Sequence, residues 1–205
     1  MPYEYDIFMS YRRHPETLKW IRSLLLPLLD HYIGLELGRD PRIFVHEVQG
    51  QIQAGAIWPV ELGEVLGQSR TLVALWCKPY LSSQWCAEEL SIMTAREDFS
   101  GARTSNNKYG LVVPVILHDG ETIPERFAGT QQLDLKPYYN TRMRPDGDKA
   151  ELLTEVIRRH AGGFAEAIDN APPFQEHWPQ EAARRLFMQL IAPPSSQRER
   201  PKFLI

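Results

Sequence analysis

Cysteine is scarce in this chain: two residues, Cys77 and Cys86, among 205. They are too few and too widely spaced for a zinc ribbon or a redox CxxC pair, and they allow one disulfide at most. The six histidines (His14, His31, His46, His118, His160, His177) are scattered and form no HExxH, so no metal centre is expected. A surplus of charge of one sign is missing as well. Lys and Arg number 23 against 26 Asp and Glu, the formal net charge is −3 and the sequence pI is near 6.1. The densest basic stretch, Arg198 to Lys202, reads as a solvated tail, and nucleic acid is not an expected partner. Long apolar runs are absent. Leu111–Leu117 and Thr71–Cys77 are of strand length, far short of the ~20 residues that a membrane span needs. Met1 to Tyr5 is polar where a signal peptide would be apolar. The expected setting is cytoplasmic, away from membranes.

Several catalytic signatures are lacking too. A dinucleotide-binding fingerprint would place GxGxxG after the first strand, where this chain has Arg12, Arg13 and His14. No GxxxxGK[ST] phosphate loop and no GxSxG elbow occurs, which sets aside P-loop nucleotide hydrolysis and the common serine-hydrolase arrangement.

What is present is an alternation of apolar runs and helical patterns. Tyr5–Tyr11, Arg42–His46, Thr71–Cys77 and Leu111–Leu117 read as strands, with Pro114 unusual inside the last, and Gln131–Leu135 reads as a short edge strand. Leu18, Ile21, Leu25, Leu28, Leu29 and Tyr32 fall at helical spacing after Pro15, and Pro27 predicts a kink or break there. Trp58–Gly67, Trp85–Asp98, Asp148–Ile168 and Pro179–Ile191 read as further helices; Ser82 or Ser83 is placed to cap the second of these. Glu47–Ile57, Pro79–Gln84 and Gly101–Gly110 read as loops. Strands that are apolar throughout, separated by helices, predict a parallel sheet covered on both faces. In such sheets ligands gather at the carboxyl ends of the strands.

Three stretches stand at those ends. The first is Phe8-Met9-Ser10-Tyr11-Arg12-Arg13, closing the first strand. The second is the Gly55–Trp58 turn. The third is Trp76 through Leu90, WCKPYLSSQWCAEEL. Together they resemble the TIR (Toll/interleukin-1 receptor) domain family: an F-x-S-Y strand, a Gly-x-x-Trp turn after the second strand, and Ser69-Arg70, Pro79-Tyr80, Ser83, Trp85-Cys86 and Glu89-Leu90 around the third. The resemblance spans residues 3 to 160 in element order. It implies a flavodoxin-like α/β fold of three layers, with a central, mostly parallel five-stranded sheet and helices on both faces. It divides the chain into a TIR domain over residues 1–170 and a C-terminal helical extension and tail over 171–205. The loop EVQGQIQAGA after the second strand departs from the family pattern, lacking the acidic and Arg-Pro pieces often found there.

Some members of that family only assemble, while others split NAD at the nicotinamide–ribose bond. The enzymatic members carry a glutamate in the helix after the third strand, a position that falls on Glu89 here. Trp85 and Glu89 are four apart and share a helix face. The bond to nicotinamide breaks through an oxocarbenium-like state, which a nearby carboxylate stabilises. Nicotinamide leaves as a neutral base, so no strong general acid is needed. Glu89 is the catalytic candidate. Phe8, Ser10, Tyr11, Trp58, Trp76, Tyr80, Ser83 and Trp85 are candidate substrate contacts, the aromatics by stacking on nicotinamide or adenine. Arg12 and Arg13 are candidates for the pyrophosphate. NAD enters as substrate; no cofactor and no metal is expected. The resemblance further implies self-association through TIR–TIR contacts, with filaments among the forms, and a downstream effector that senses an ADP-ribose derivative, as in antiphage defence. The rival reading is a non-catalytic TIR–TIR interaction module or a mimic that disturbs host signalling, with a base-processing enzyme on a related fold as a third.

Overall fold

Apolar runs too short to be helices and too continuous for a solvated face must be covered twice, and the chain achieves this with one sheet. In the computed structural model, which describes residues 3–46, 58–103, 110–118, 124–175 and 180–191, the strands are β1 (Tyr5–Tyr11), β2 (Ile43–Val45), β3 (Ser69–Trp76), β4 (Val112–Ile116) and β5 (Leu133–Asp134). Their order is β2-β1-β3-β4-β5, and every pairing among them is parallel. The expected mostly parallel sheet is thus entirely parallel. β3 begins at Ser69, two residues earlier than the apolar pattern alone implies, because Ser69 pairs with Tyr5.

Alternation along the strands sorts side chains into two cores. Ile7, Met9 and Tyr11 of β1, with Val73 and Leu75 of β3, face α1 (Pro15–Trp20), α2 (Leu26–Leu37) and α7 (Asp148–Asp169). Phe8, Leu72, Ala74 and Trp76 face α3 (Trp58–Gly67), α4 (Lys78–Leu81) and α5 (Gln84–Ser100). The one-turn helix α4 occupies what reads in sequence as a loop, and a second one-turn helix, α6 (Glu125–Ala128), brings Phe127 to the same core. A last helix, α8 (Gln180–Ile191), packs along α5, so α5 is buried on nearly all sides, including Ala87, Ser91 and Ala95.

The two prolines that look misplaced in the sequence are accommodated in specific ways. Ahead of Pro27 the helix widens into a π turn over Ile21–Leu25, with the Leu26 N–H reaching the Ile21 carbonyl. Proline has no N–H and its ring crowds the carbonyl four residues back; a π turn shifts the bonding register and relieves both problems. The helix therefore runs on to Leu37 without a break. Pro114 lies in β4 opposite Ala74. Along this strand Ile116, which shares Pro114's parity, turns its carbonyl to Leu135 beyond β5. The missing N–H of Pro114 thus faces the side where β5 has not yet begun, since pairing starts at Val115 with Leu133.

Side chains close that open stretch of edge. The Val112 N–H donates to Glu97 at 3.1 Å and the Val112 carbonyl accepts from Arg103 at 3.0 Å. Gly110 packs so close to the Glu97 carboxyl and the Arg103 guanidinium that a Cβ there would overlap both. An unpaired edge invites pairing with another chain, and a charged pair on it is a common defence.

Candidate active site

The site is built where β1 and β3 end. Strand alternation turns Ser10 to the same face as Phe8 and Trp76, toward α5. α5 starts cleanly because Ser83 adopts an extended backbone and its side chain accepts from the Cys86 N–H at 3.5 Å. Of the two serines proposed for this role it is Ser83, an N-cap that satisfies an otherwise orphaned donor. The helix ends on Gly101 in the left-handed conformation, φ 61°, where a residue with a Cβ would be strained.

Within this frame Glu89 lies one turn into α5 and is 5% exposed. The Ser10 hydroxyl donates to its Oε2 at 2.5 Å, and the Ser10 oxygen is 2.9 Å from the Tyr80 hydroxyl. Burial pushes the Glu89 carboxyl up from 4.5 to about 7; the Ser10 hydrogen bond and the positive charge of Arg13 pull against this, and Glu88 adds to it. Burial likewise pushes the neighbouring Cys86 thiol to about 12, with the Glu89 charge adding to the rise, so Cys86 is a small buried hydrophobe rather than a nucleophile. Arg13 is half-buried, and burial lowers its proton affinity while the Glu89 charge raises it.

The candidates separate by where the fold places them. Glu89, Ser10, Tyr80, Ser83 and Arg13 converge at the carboxyl edge of the sheet. Trp85 stands at the start of α5, 38% exposed, and Arg12, just beyond β1, is exposed as well. Phe8 and Trp76 are sealed in the core, Phe8 stacked on Phe44 at 5.2 Å and Trp76 edge-on to Phe127 at 5.2 Å. Tyr11 faces the opposite side of the sheet, its hydroxyl donating to the His46 carbonyl at 2.7 Å. Trp58 opens α3, but its side chain and the preceding loop 47–57 lie outside the described residues, as does the basic tail.

Reading the residues one by one missed the chain from Tyr80 through Ser10 to Glu89. A signal for it exists: a lone hydroxyl on an otherwise apolar strand face must find a partner when buried. Two further polar clusters also escaped notice. Asp6, fully buried, takes two hydrogen bonds from Arg39 (2.7 and 2.8 Å) and one from the Arg42 N–H at 2.9 Å, with Arg70 at 3.3 Å. Arg96 is buried and donates to the Ser69 carbonyl at 2.6 Å and to the Tyr3 hydroxyl. Both lie at the amino end of the sheet, away from Glu89: the Asp6 cluster ties the segment between α2 and β2 to β1 and β3, and Arg96 ties α5 to β3.

An all-parallel, doubly covered sheet in the order 2-1-3-4-5, with one buried carboxylate at its carboxyl edge, defines a flavodoxin-like α/β domain. The chain belongs to the TIR domain family, whose model matches residues 7–150. One solved structure, the TIR domains of the activated Roq1 resistosome directly recognizing the pathogen effector XopQ, aligns over 92% of this chain and 98% of that chain at 19% identity, with a TM-score of 0.36. Among the described residues no helix is long and apolar enough to cross a membrane.

Proposed function

We propose that this TIR domain cleaves NAD at the nicotinamide–ribose bond. The single observation that carries the reading is Glu89: a carboxylate buried at the carboxyl edge of the sheet, beside an exposed indole and a half-buried arginine. Burying an acid there costs stability, and such costs concentrate at functional sites. In the proposed reaction the C1′–N bond breaks and its electron pair passes to the pyridinium nitrogen, so nicotinamide leaves neutral. The positive charge left on the ribose is stabilised by ionised Glu89. Water, or a nucleophile within the ADP-ribose itself or on a second molecule, then attacks C1′ and loses a proton, giving a linear, cyclic or conjugated product. Trp85 stacks on a base, and Arg12 and Arg13 meet the pyrophosphate. The chain works in this reading as a cytoplasmic immune or antiphage signalling effector. It self-associates through TIR–TIR contacts, and its product is sensed by a downstream protein.

The test is incubation of the purified chain, at high concentration, with NAD, followed by chromatography and mass analysis. Nicotinamide release by wild type and its absence in Glu89→Ala is the expected result, and the mass of the second product identifies the branch. Intact NAD in both, even after forced clustering, overturns the enzymatic reading in favour of an interaction module.

A further inference from the structure

The hydroxyls of Ser10 and Tyr80 can each give one proton, and this small inventory orders the whole chain. Ser10 donates to the Glu89 carboxylate at 2.5 Å, which leaves it none for Tyr80. The 2.9 Å contact between Ser10 and Tyr80 must therefore run from the tyrosine O–H to the serine oxygen. Tyr80 is completely buried, so it has no surface to offer a substrate; Ser10 is 1% exposed and spends its proton inside the protein. We propose that Ser10 and Tyr80 are positioning residues that act through Glu89: Ser10 fixes the carboxylate by its Oε2, and Tyr80 locks the Ser10 hydroxyl in that donation. This rests on the reading of Glu89 as the catalytic group but goes beyond it, since it removes two residues from the substrate-contact set and gives them a different task.

The surroundings define what the chain opposes. Glu89 is faced by Ser10 of β1, Arg13 just beyond β1, Tyr80 of α4, and Cys86 and Glu88 of its own helix. Burial and Glu88 favour the protonated acid; Ser10 and Arg13 favour the carboxylate. A donor committed to a carboxylate holds it ionised. Were Glu89 protonated at Oε2 and donating to Ser10, one hydroxyl proton, that of Ser10 or that of Tyr80, would be left without an acceptor. The tyrosine thus biases the chain toward the ionised carboxylate.

Two measurements test this on the full chain. The first is a carbon-13 NMR titration of glutamate side-chain carboxyls, with the Glu89 signal assigned by its loss in Glu89→Gln. Ser10→Ala is expected to move that titration upward by about one pH unit, the tenfold change a charge-assisted hydrogen bond supplies, and Ser10→Thr is expected to restore it. Tyr80→Phe moves it in the same direction by less. The second is nicotinamide release against pH. Ser10→Ala is expected to lower kcat while leaving KM unchanged, and to shift the rising limb alkaline. An unmoved Glu89 titration in Ser10→Ala overturns the proposal, as does a raised KM at constant kcat, which would return Ser10 to substrate contact. If wild type releases no nicotinamide, the enzymatic reading falls while the titration still decides whether Ser10 and Tyr80 govern the carboxylate.

Discussion

Replacing Glu89 with glutamine should make the protein more stable, and increasingly so as pH rises. The carboxyl titrates near 7 in the fold against its ordinary 4.5. A group whose folded value is raised binds more protons folded than unfolded between those two values, so stability falls as pH climbs through that window. The full span of the shift is worth about 3 kcal/mol at 1.36 kcal/mol per pH unit. The linkage relation puts the penalty at about 1 kcal/mol at pH 5 and about 3 kcal/mol at pH 8. Glutamine keeps an oxygen for the Ser10 hydroxyl and carries no charge to desolvate, so it escapes the penalty at every pH. The stability gain of Glu89→Gln over wild type should therefore grow by about 2 kcal/mol from pH 5 to pH 8, or roughly 4 to 8 °C in Tm for a domain of this size. The assay is urea denaturation of both proteins at several pH values, with the m-values compared to confirm like transitions. A difference that stays flat across that range would refute the reasoning, because it would mean Glu89 is not a buried ionising group. A gain in stability paired with loss of NAD cleavage is the trade expected of a functional residue.

The amino end of the sheet makes the opposite prediction. Burial raises the Asp6 carboxyl, but the Arg39 hydrogen bonds, the Arg42 N–H and the two arginine charges outweigh it and hold it below its ordinary 3.8. Asp6→Asn should cost about 2 to 3 kcal/mol at pH 7, less than a fully buried pair because the arginines can regain water; the gap to wild type in urea should narrow as the pH drops below 3.8. Gly110→Ala should push the Glu97 carboxyl off Val112 and leave a buried N–H unpaired, at about 1 to 3 kcal/mol, read as a lower urea midpoint; an unchanged midpoint would show that the edge closure tolerates a methyl group. Ala183, buried where α8 meets α5, should not accept glutamate: Ala183→Glu is expected to abolish hydrogen-exchange protection in α8 while the β1–β3 amides stay protected. Equal loss in both would mean that α8 and the sheet unfold as one unit.

Much of the architecture was legible in the residues. Apolar strands of five to eight residues, such as Thr71–Leu75, can only be buried on both faces, and helices between them force parallel neighbours. Of the apolar residues at helical spacing in α7, Leu153, Ile157, Phe164 and Ile168 are buried while Leu152 is 56% exposed, and of the two serines ahead of α5 only the structure singled out Ser83 as its cap. Glu89 became the catalytic candidate through the family resemblance, on the match of its Trp-Cys-x-x-Glu-Leu stretch. What local pattern could not supply were relations between residues distant in the chain. Ser10 meets Glu89 across 79 positions and Tyr80 across 70, because parallel pairing of β1 with β3 brings their carboxyl ends together. The same pairing buried Phe8 and Trp76, which composition alone left as plausible stackers, and sent Tyr11 to the far side of the sheet. Periodicity tells which way a side chain points from its own element. Only the packed sheet decides what it finds there, and so only the tertiary structure decided that a serine and a tyrosine meet at the acid.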